Sequence, residues 1–180
     1  MRILAVVASA IGTLLVWTAL QPQALYADST LDSYKRVDGL KGCDSIPYDT
    51  LRSRCIDTSV DVQNYCKEKE LKRSCKELPK VRDAYDDPKL KDDPHAQKET
   101  ADGYRKEIEL RQGWNEKCRD SRSTIKGIFD DVITQAKNES DPNIKPYAEK
   151  AIVYWEKEDA DHAQARQDAQ NAVQNCADKK

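Results

Sequence analysis

Asp159 and His162 come closest in this chain to a recognisable piece of chemistry, because residues three apart on a helix share a face. Helix bundles use a carboxylate-x-x-His spacing to present ligands to a di-metal centre. Such a centre takes a matching pair from a second helix, and no other predicted helix supplies one. The remaining histidine, His95, lies in an Asp/Pro-rich stretch that reads as a solvated loop. A nucleophilic Ser or Cys needs a positioned base, and two histidines leave little choice of one. Carboxylates are plentiful, but the pairs Asp86/Asp87, Asp92/Asp93 and Asp130/Asp131 are adjacent in sequence. Neighbours cannot face each other across a cleft, as glycoside hydrolysis requires, and the two Asp-Asp-Pro contexts fit turns. No calcium-loop pattern occurs, the six glycines form no phosphate-binding cluster, and no cofactor motif is present. Asn138-Glu139-Ser140 matches the N-glycosylation acceptor pattern on a predicted turn.

The cysteines say more. Cys43, Cys55, Cys66, Cys75, Cys118 and Cys176 are never closer than nine residues, so the close pairs of zinc sites and of thioredoxin-like or haem-attachment motifs are missing. Ahead of them, Arg2, an apolar run from Ile3 to Leu20 and the small-residue exit Ala24-Leu25-Tyr26-Ala27 read as an export signal. Cleavage is expected after Ala27, leaving residues 28–180. An uncleaved anchor is the other reading, since about 17 to 25 apolar residues can span a bilayer. Both place the remainder outside the cytoplasm, in the periplasm or beyond the cell. There an even set of cysteines implies three disulfides. After Leu20 no second run is apolar enough to span a membrane.

Removing Arg2 with the signal takes the 30 basic residues to 29 against 32 acidic, a net charge of -3. Both signs are interleaved, as in Lys67-Glu68-Lys69-Glu70-Leu71-Lys72-Arg73, so no one-signed face points to nucleic acid or anionic lipid. Mean hydropathy is -0.85, which implies a thin core that covalent cross-links would supplement.

No alternating β-branched run occurs, and the expected fold is all-α, a disulfide-stabilised, irregular helix bundle. Residues 28–79 read as a cysteine-rich helical segment, 80–95 as a polar connector and 96–180 as a long antiparallel helical hairpin, all in one domain. In the first segment, Ser29 to Leu40 carries Leu31, Tyr34 and Val37 on one face. Ser45 can cap a helix to about Asp57, and Thr58 or Ser59 can restart it toward Pro79, giving a hairpin or one kinked helix. The hairpin nests Cys43–Cys75 around Cys55–Cys66 and is the preferred pattern; the continuous helix makes Cys55 and Cys66 look outward for partners. Elimination in the nested case pairs Cys118 with Cys176, which a straight hairpin offsets by about 15 Å. Either the third helix bends, or these two cysteines tie the hairpin to the N-terminal half.

From Gln97 to Lys137, Tyr104, Ile108, Cys118, Ile125, Phe129, Val132 and Ala136 form one stripe, with Trp114 at its edge. Gly103, Gly113 and Gly127 each cost about 1 kcal/mol in that helix, which leaves room for one break, near Gly113 or at Ser121 to Thr124. Past Pro146 no Gly or Pro interrupts a final helix with Ala148, Ala151, Ile152, Trp155, Ala169, Val173 and Cys176 on its face.

Cys43-x11-Cys55, followed by Leu110-Arg111-Gln112-Gly113-Trp114 and Cys118-Arg119-Asp120, resembles the small cysteine-paired helical lysozyme inhibitors of bacterial envelopes. The likeness spans about ten positions and departs in segment interval, Gln-to-Trp spacing and the order of Cys and Arg-Asp. It implies an envelope protein that inhibits lysozyme. The residues by themselves favour an exported, non-enzymatic protein that binds another protein or envelope component, as inhibitor, immunity factor or accessory. Trp114, Tyr104, Tyr147, Tyr154 and Trp155 are its candidate anchors, core packing being the competing role. An envelope enzyme or metal-binding protein built on His162, and a purely structural component, are the alternatives. The intact mass of the chain recovered from an exporting host should correspond to a start at Asp28; retention of residues 1–27 would favour the anchor.

Overall fold

The computed structural model describes residues 31–66 and 74–180. The leader read over residues 1–27 and the stretch 67–73 lie outside the described residues. Of these, 78% are helical and none forms a strand, as the sequence led us to expect. Two short turns, α1 (Leu31–Tyr34) and α2 (Arg36–Gly39), lead through a 3-10 turn, Gly42–Ser45, to α3 (Asp49–Cys66). A short α4 (Asp83–Asp86) precedes the long helices α5 (Pro94–Lys137) and α6 (Lys145–Ala177).

The long pair forms on local rules. Asp93 caps α5 by accepting from the Ala96 N–H at 3.0 Å, and Pro94 fills the first turn, where its missing donor costs nothing. The expected break is absent, and α5 runs 44 residues without interruption. Ser121, Ser123 and Thr124 donate to the carbonyls of Lys117, Arg119 and Asp120, four residues back, so their hydroxyls are satisfied inside the helix instead of restarting it. The turn Asn138–Ile144 returns the chain, and α6 packs antiparallel along α5.

Several N-terminal expectations change. Ile46 precedes Pro47 and is extended (φ -69°, ψ 122°), so the helix expected from Ser45 begins at Asp49. It does not break at Thr58. The Thr58 hydroxyl donates to the Arg54 carbonyl at 2.7 Å, and Ser59 Oγ lies 3.3 Å from Cys43 Sγ, so neither side chain caps a new start. Continuity removes the nested disulfides: 11 residues of helix separate Cys55 from Cys66 by about 16 Å, beyond the Cα range of a disulfide. The bonds are Cys43–Cys55, Cys66–Cys118 and Cys75–Cys176. Cys118 and Cys176 thus each reach the N-terminal half, and the offset along the hairpin stands. The connector is also less solvated than expected, with Val81 and Ala84 buried and the Val81 N–H donating to the Lys179 carbonyl at 2.9 Å.

Burial is stacked in three levels along the hairpin. At the turn end, Tyr34, Ile46, Leu51, Phe129, Val132 and Trp155 belong to the largest cluster, which contains Cys55. Cys66, Cys118 and Ala169 form the middle level. Val81, Ala84, Ala101 and Ile108 surround Cys75 and Cys176 at the far end. Each level therefore carries one cross-link.

Peptide mapping without reduction should recover these three pairs. In the chain-entropy account, removing Cys75–Cys176, whose residues are 101 apart, should lower stability most, by up to about 4.7 kcal/mol, and removing Cys43–Cys55, 12 apart, by about 3 kcal/mol. Urea denaturation of the paired Cys→Ala variants checks the order.

Candidate functional site

Where α3 runs along α5 near the turn end of the hairpin, the packing is held from outside. Gly42 adopts φ 58°, a left-handed backbone that suits glycine. Its N–H donates to Tyr154 Oη on α6 at 2.7 Å, and the next residue is bonded to Cys55 on α3. This strap leaves a cavity of about 260 Å³ bounded by α3, α5 and α6.

Its walls are apolar, made by Val62, Ile125, Phe129, Trp155 and the Cys43–Cys55 bridge. Phe129 and Trp155 stack at a tilt with centroids 4.8 Å apart, and His162 meets Phe129 at 5.9 Å in an edge arrangement. Polar side chains join the lining from Gln63, Arg122, Glu158, His162 and Arg166. Arg166 is fixed by Asp159: its Nη1 lies 2.8 Å from the carboxylate Oδ1, and its Nη2 donates to the Asp159 carbonyl at 3.1 Å. Asp159 is also 3.8 Å from Lys126 Nζ.

The Asp159/His162 pair singled out by spacing is therefore not assembled as a ligand set. Asp159 serves Arg166, and the carboxylate nearest His162 is Glu158, at 3.9 Å from Nε2, too long for a hydrogen bond. Among the described residues, no three His, Cys, Asp or Glu side chains gather to hold a metal ion. Ser59, the hydroxyl at the cavity, faces Cys43 Sγ. His95 is 83% exposed, 3.7 Å from Glu99.

A second recess, broader and shallower at about 570 Å³, lies on the outer surface between α2 and α6. Val37, Pro146, Val153 and Tyr154 line it, with Lys150 and Lys157 beside them. Val153 is 69% exposed, more than any other large apolar side chain among the described residues. Lys150 donates to Asp38 at 2.9 Å, linking α6 to α2, and this bond holds its pKa above the usual lysine value. Lys157 pairs with Asp161, which raises its pKa in the same way.

The five aromatic candidates divide among these places. Trp155 is fully buried. Tyr154 is half-buried, its ring at the outer groove and its hydroxyl engaged by Gly42. Tyr147 is half-buried near that groove, with Lys150 Nζ 5.4 Å from its ring centre. Tyr104 packs on the far cluster, and Trp114 is half-buried on α5. Sequence reasoning missed Gln63, Arg122 and Arg166. The signal available was spacing: Glu158, His162 and Arg166 are four apart on one face of α6, as Arg122 and Phe129 are seven apart on α5.

No protein-family model, curated protein or solved structure matches this chain. The likeness to envelope lysozyme inhibitors gains no companion from those comparisons, and its second and third segments lie within the one helix α5.

Because the strap holds the cavity's edge, Tyr154→Phe should cost about 1 kcal/mol by loss of one hydrogen bond. Gly42→Ala should cost about 1 to 2 kcal/mol by forcing a Cβ into the left-handed region. Chemical denaturation of the oxidised variants checks both.

Proposed function

We propose that this chain is an exported, non-enzymatic helical protein that binds another macromolecule, a protein or other envelope component, as an inhibitor, immunity factor or accessory. The observation that carries this reading is the groove between α2 and α6, where Val153 stands exposed beside Val37, Pro146 and Tyr154, with Lys150 and Lys157 at the edge. An apolar side chain placed so, with tyrosine beside it and charges at the edge, has the composition of an interface anchor within a polar rim. Export is supported by the leader in the sequence and by three disulfides, which persist in oxidising compartments. A metal or hydrolytic site around His162 has less in its favour, since two guanidiniums, those of Arg122 and Arg166, line the same cavity and oppose a cation.

The test is chemical cross-linking and affinity capture with the full sequence, expressed for export, oxidised and tagged, against an envelope fraction of its source. One stoichiometric partner should be retained by the unmodified chain and lost with Val153→Glu, a surface change that leaves the thermal midpoint where it was. Trp114→Ala and Tyr147→Ala map how far the interface extends. Equal capture by Val153→Glu, or no partner at all, would overturn the reading.

A further inference from the structure

We infer that the cavity between α3, α5 and α6 binds a small apolar carboxylate, a molecule with one ring or a branched chain and a single anionic head. This use is independent of any macromolecule docking on the outer groove.

Size sets the body of the guest. A dry cavity of about 150 Å³ lined by aliphatic and aromatic side chains holds benzene. The 260 Å³ here adds room for a short tail. Val62, Ile125, Phe129 and Trp155 would enclose that body and exclude water from it.

Charge sets the head. Two guanidiniums, Arg122 and Arg166, line the cavity with His162 and one carboxylate, Glu158, while Asp159 pairs with Arg166 beside it. Arg166 keeps only 20% of its side chain exposed, and burying a guanidinium beside apolar walls costs solvation that one ion pair recovers poorly. Its Nη2 donates to the Asp159 carbonyl and its Nη1 pairs with the Asp159 carboxylate without a hydrogen bond, which fixes the guanidinium plane and leaves Nη1 a buried donor to offer a carboxylate. Glu158 adds selectivity. A second negative charge on the guest would meet it, so a monoanion is preferred to a dianion.

Isothermal titration of the full oxidised chain tests this with 3-phenylpropanoate, its neutral isostere 3-phenylpropanamide and the dianion phenylsuccinate. The monoanion should bind saturably at one site, and the amide and dianion at least roughly ten-fold more weakly, the scale of one charge-assisted hydrogen bond. Arg166→Gln, with the circular dichroism spectrum kept, should bring the acid to the level of the amide. Val62→Trp, which fills the cavity, should abolish binding while the circular dichroism spectrum is kept; if that variant misfolds, Ser59→Phe fills it from the α3 side. A decapeptide ending in phenylalanine offers the same group on a protein terminus. Tighter binding of the peptide assigns the guest to a partner's C-terminus, and weaker binding assigns it to a free acid. Equal affinity for acid and amide, saturable binding that survives a folded, filled cavity, or no saturable binding would each overturn the inference.

Discussion

A two-helix hairpin can bury only one stripe of each helix, and the shortage of apolar surface that follows governs the rest of this structure. At 1.5 Å per residue α5 is about 66 Å long and α6 about 50 Å, so a stripe of mostly small and medium side chains must hold a slender rod. Burial is consequently gathered into separate levels instead of one continuous core. Hydrophobic stabilisation scales with the area removed from water, and the middle and far levels remove little of it. Two of the three cross-links fall where burial is least. Cys66–Cys118 belongs to a cluster of three buried residues, and Cys75–Cys176 joins the connector segment to the far end of α6.

The turn end has the opposite character. There α1 and the link between the 3-10 turn and α3 add Tyr34, Ile46 and Tyr48 to the hairpin, and the Tyr34 and Tyr48 hydroxyls bond each other inside the cluster. α3 adds a third helix that runs antiparallel along α5, with Arg54 3.8 Å from Asp131 near one end and Cys66 bonded to Cys118 at the other. The cavity lies where α3, α5 and α6 meet. Its persistence depends on the strap through Gly42, Tyr154 and Cys43–Cys55, which fixes the distance between α3 and α6 without filling the space.

Much of this architecture was legible in the residues. α6 could be read because nothing after Pro146 interrupts it, and the α5 stripe because Ile108, Cys118, Ile125, Phe129, Val132 and Ala136 are all buried. The breaks misread at Thr58 and at Ser121 to Thr124 share one cause. Serine and threonine favour helix starts in isolation, but at Thr58, Ser121, Ser123 and Thr124 the hydroxyl bonds a carbonyl one turn back and the helix continues. The error at Thr58 then spread to the disulfides, since the nested pattern needed a bend there. Asp159 was noticed for its spacing to His162, whereas its actual partner, Arg166, follows seven residues later in a relation no pairwise motif encodes. The cavity was out of reach because it depends on where α3 lies, which no single helix specifies.

The order of the cysteines has a consequence for how the molecule is made. A chain emerging from its N-terminus presents Cys43 and Cys55 first, and these are native partners. The next two to appear, Cys66 and Cys75, are nine residues apart, and each belongs to a cysteine that has not yet arrived. An oxidant acting on neighbours would join them to each other, and the mistake could be corrected only by thiol exchange once residues 118 and 176 were present. The same connectivity that braces a thin rod therefore asks, of any chain oxidised in the order of its synthesis, either thiol exchange or oxidation slow enough to wait for α6.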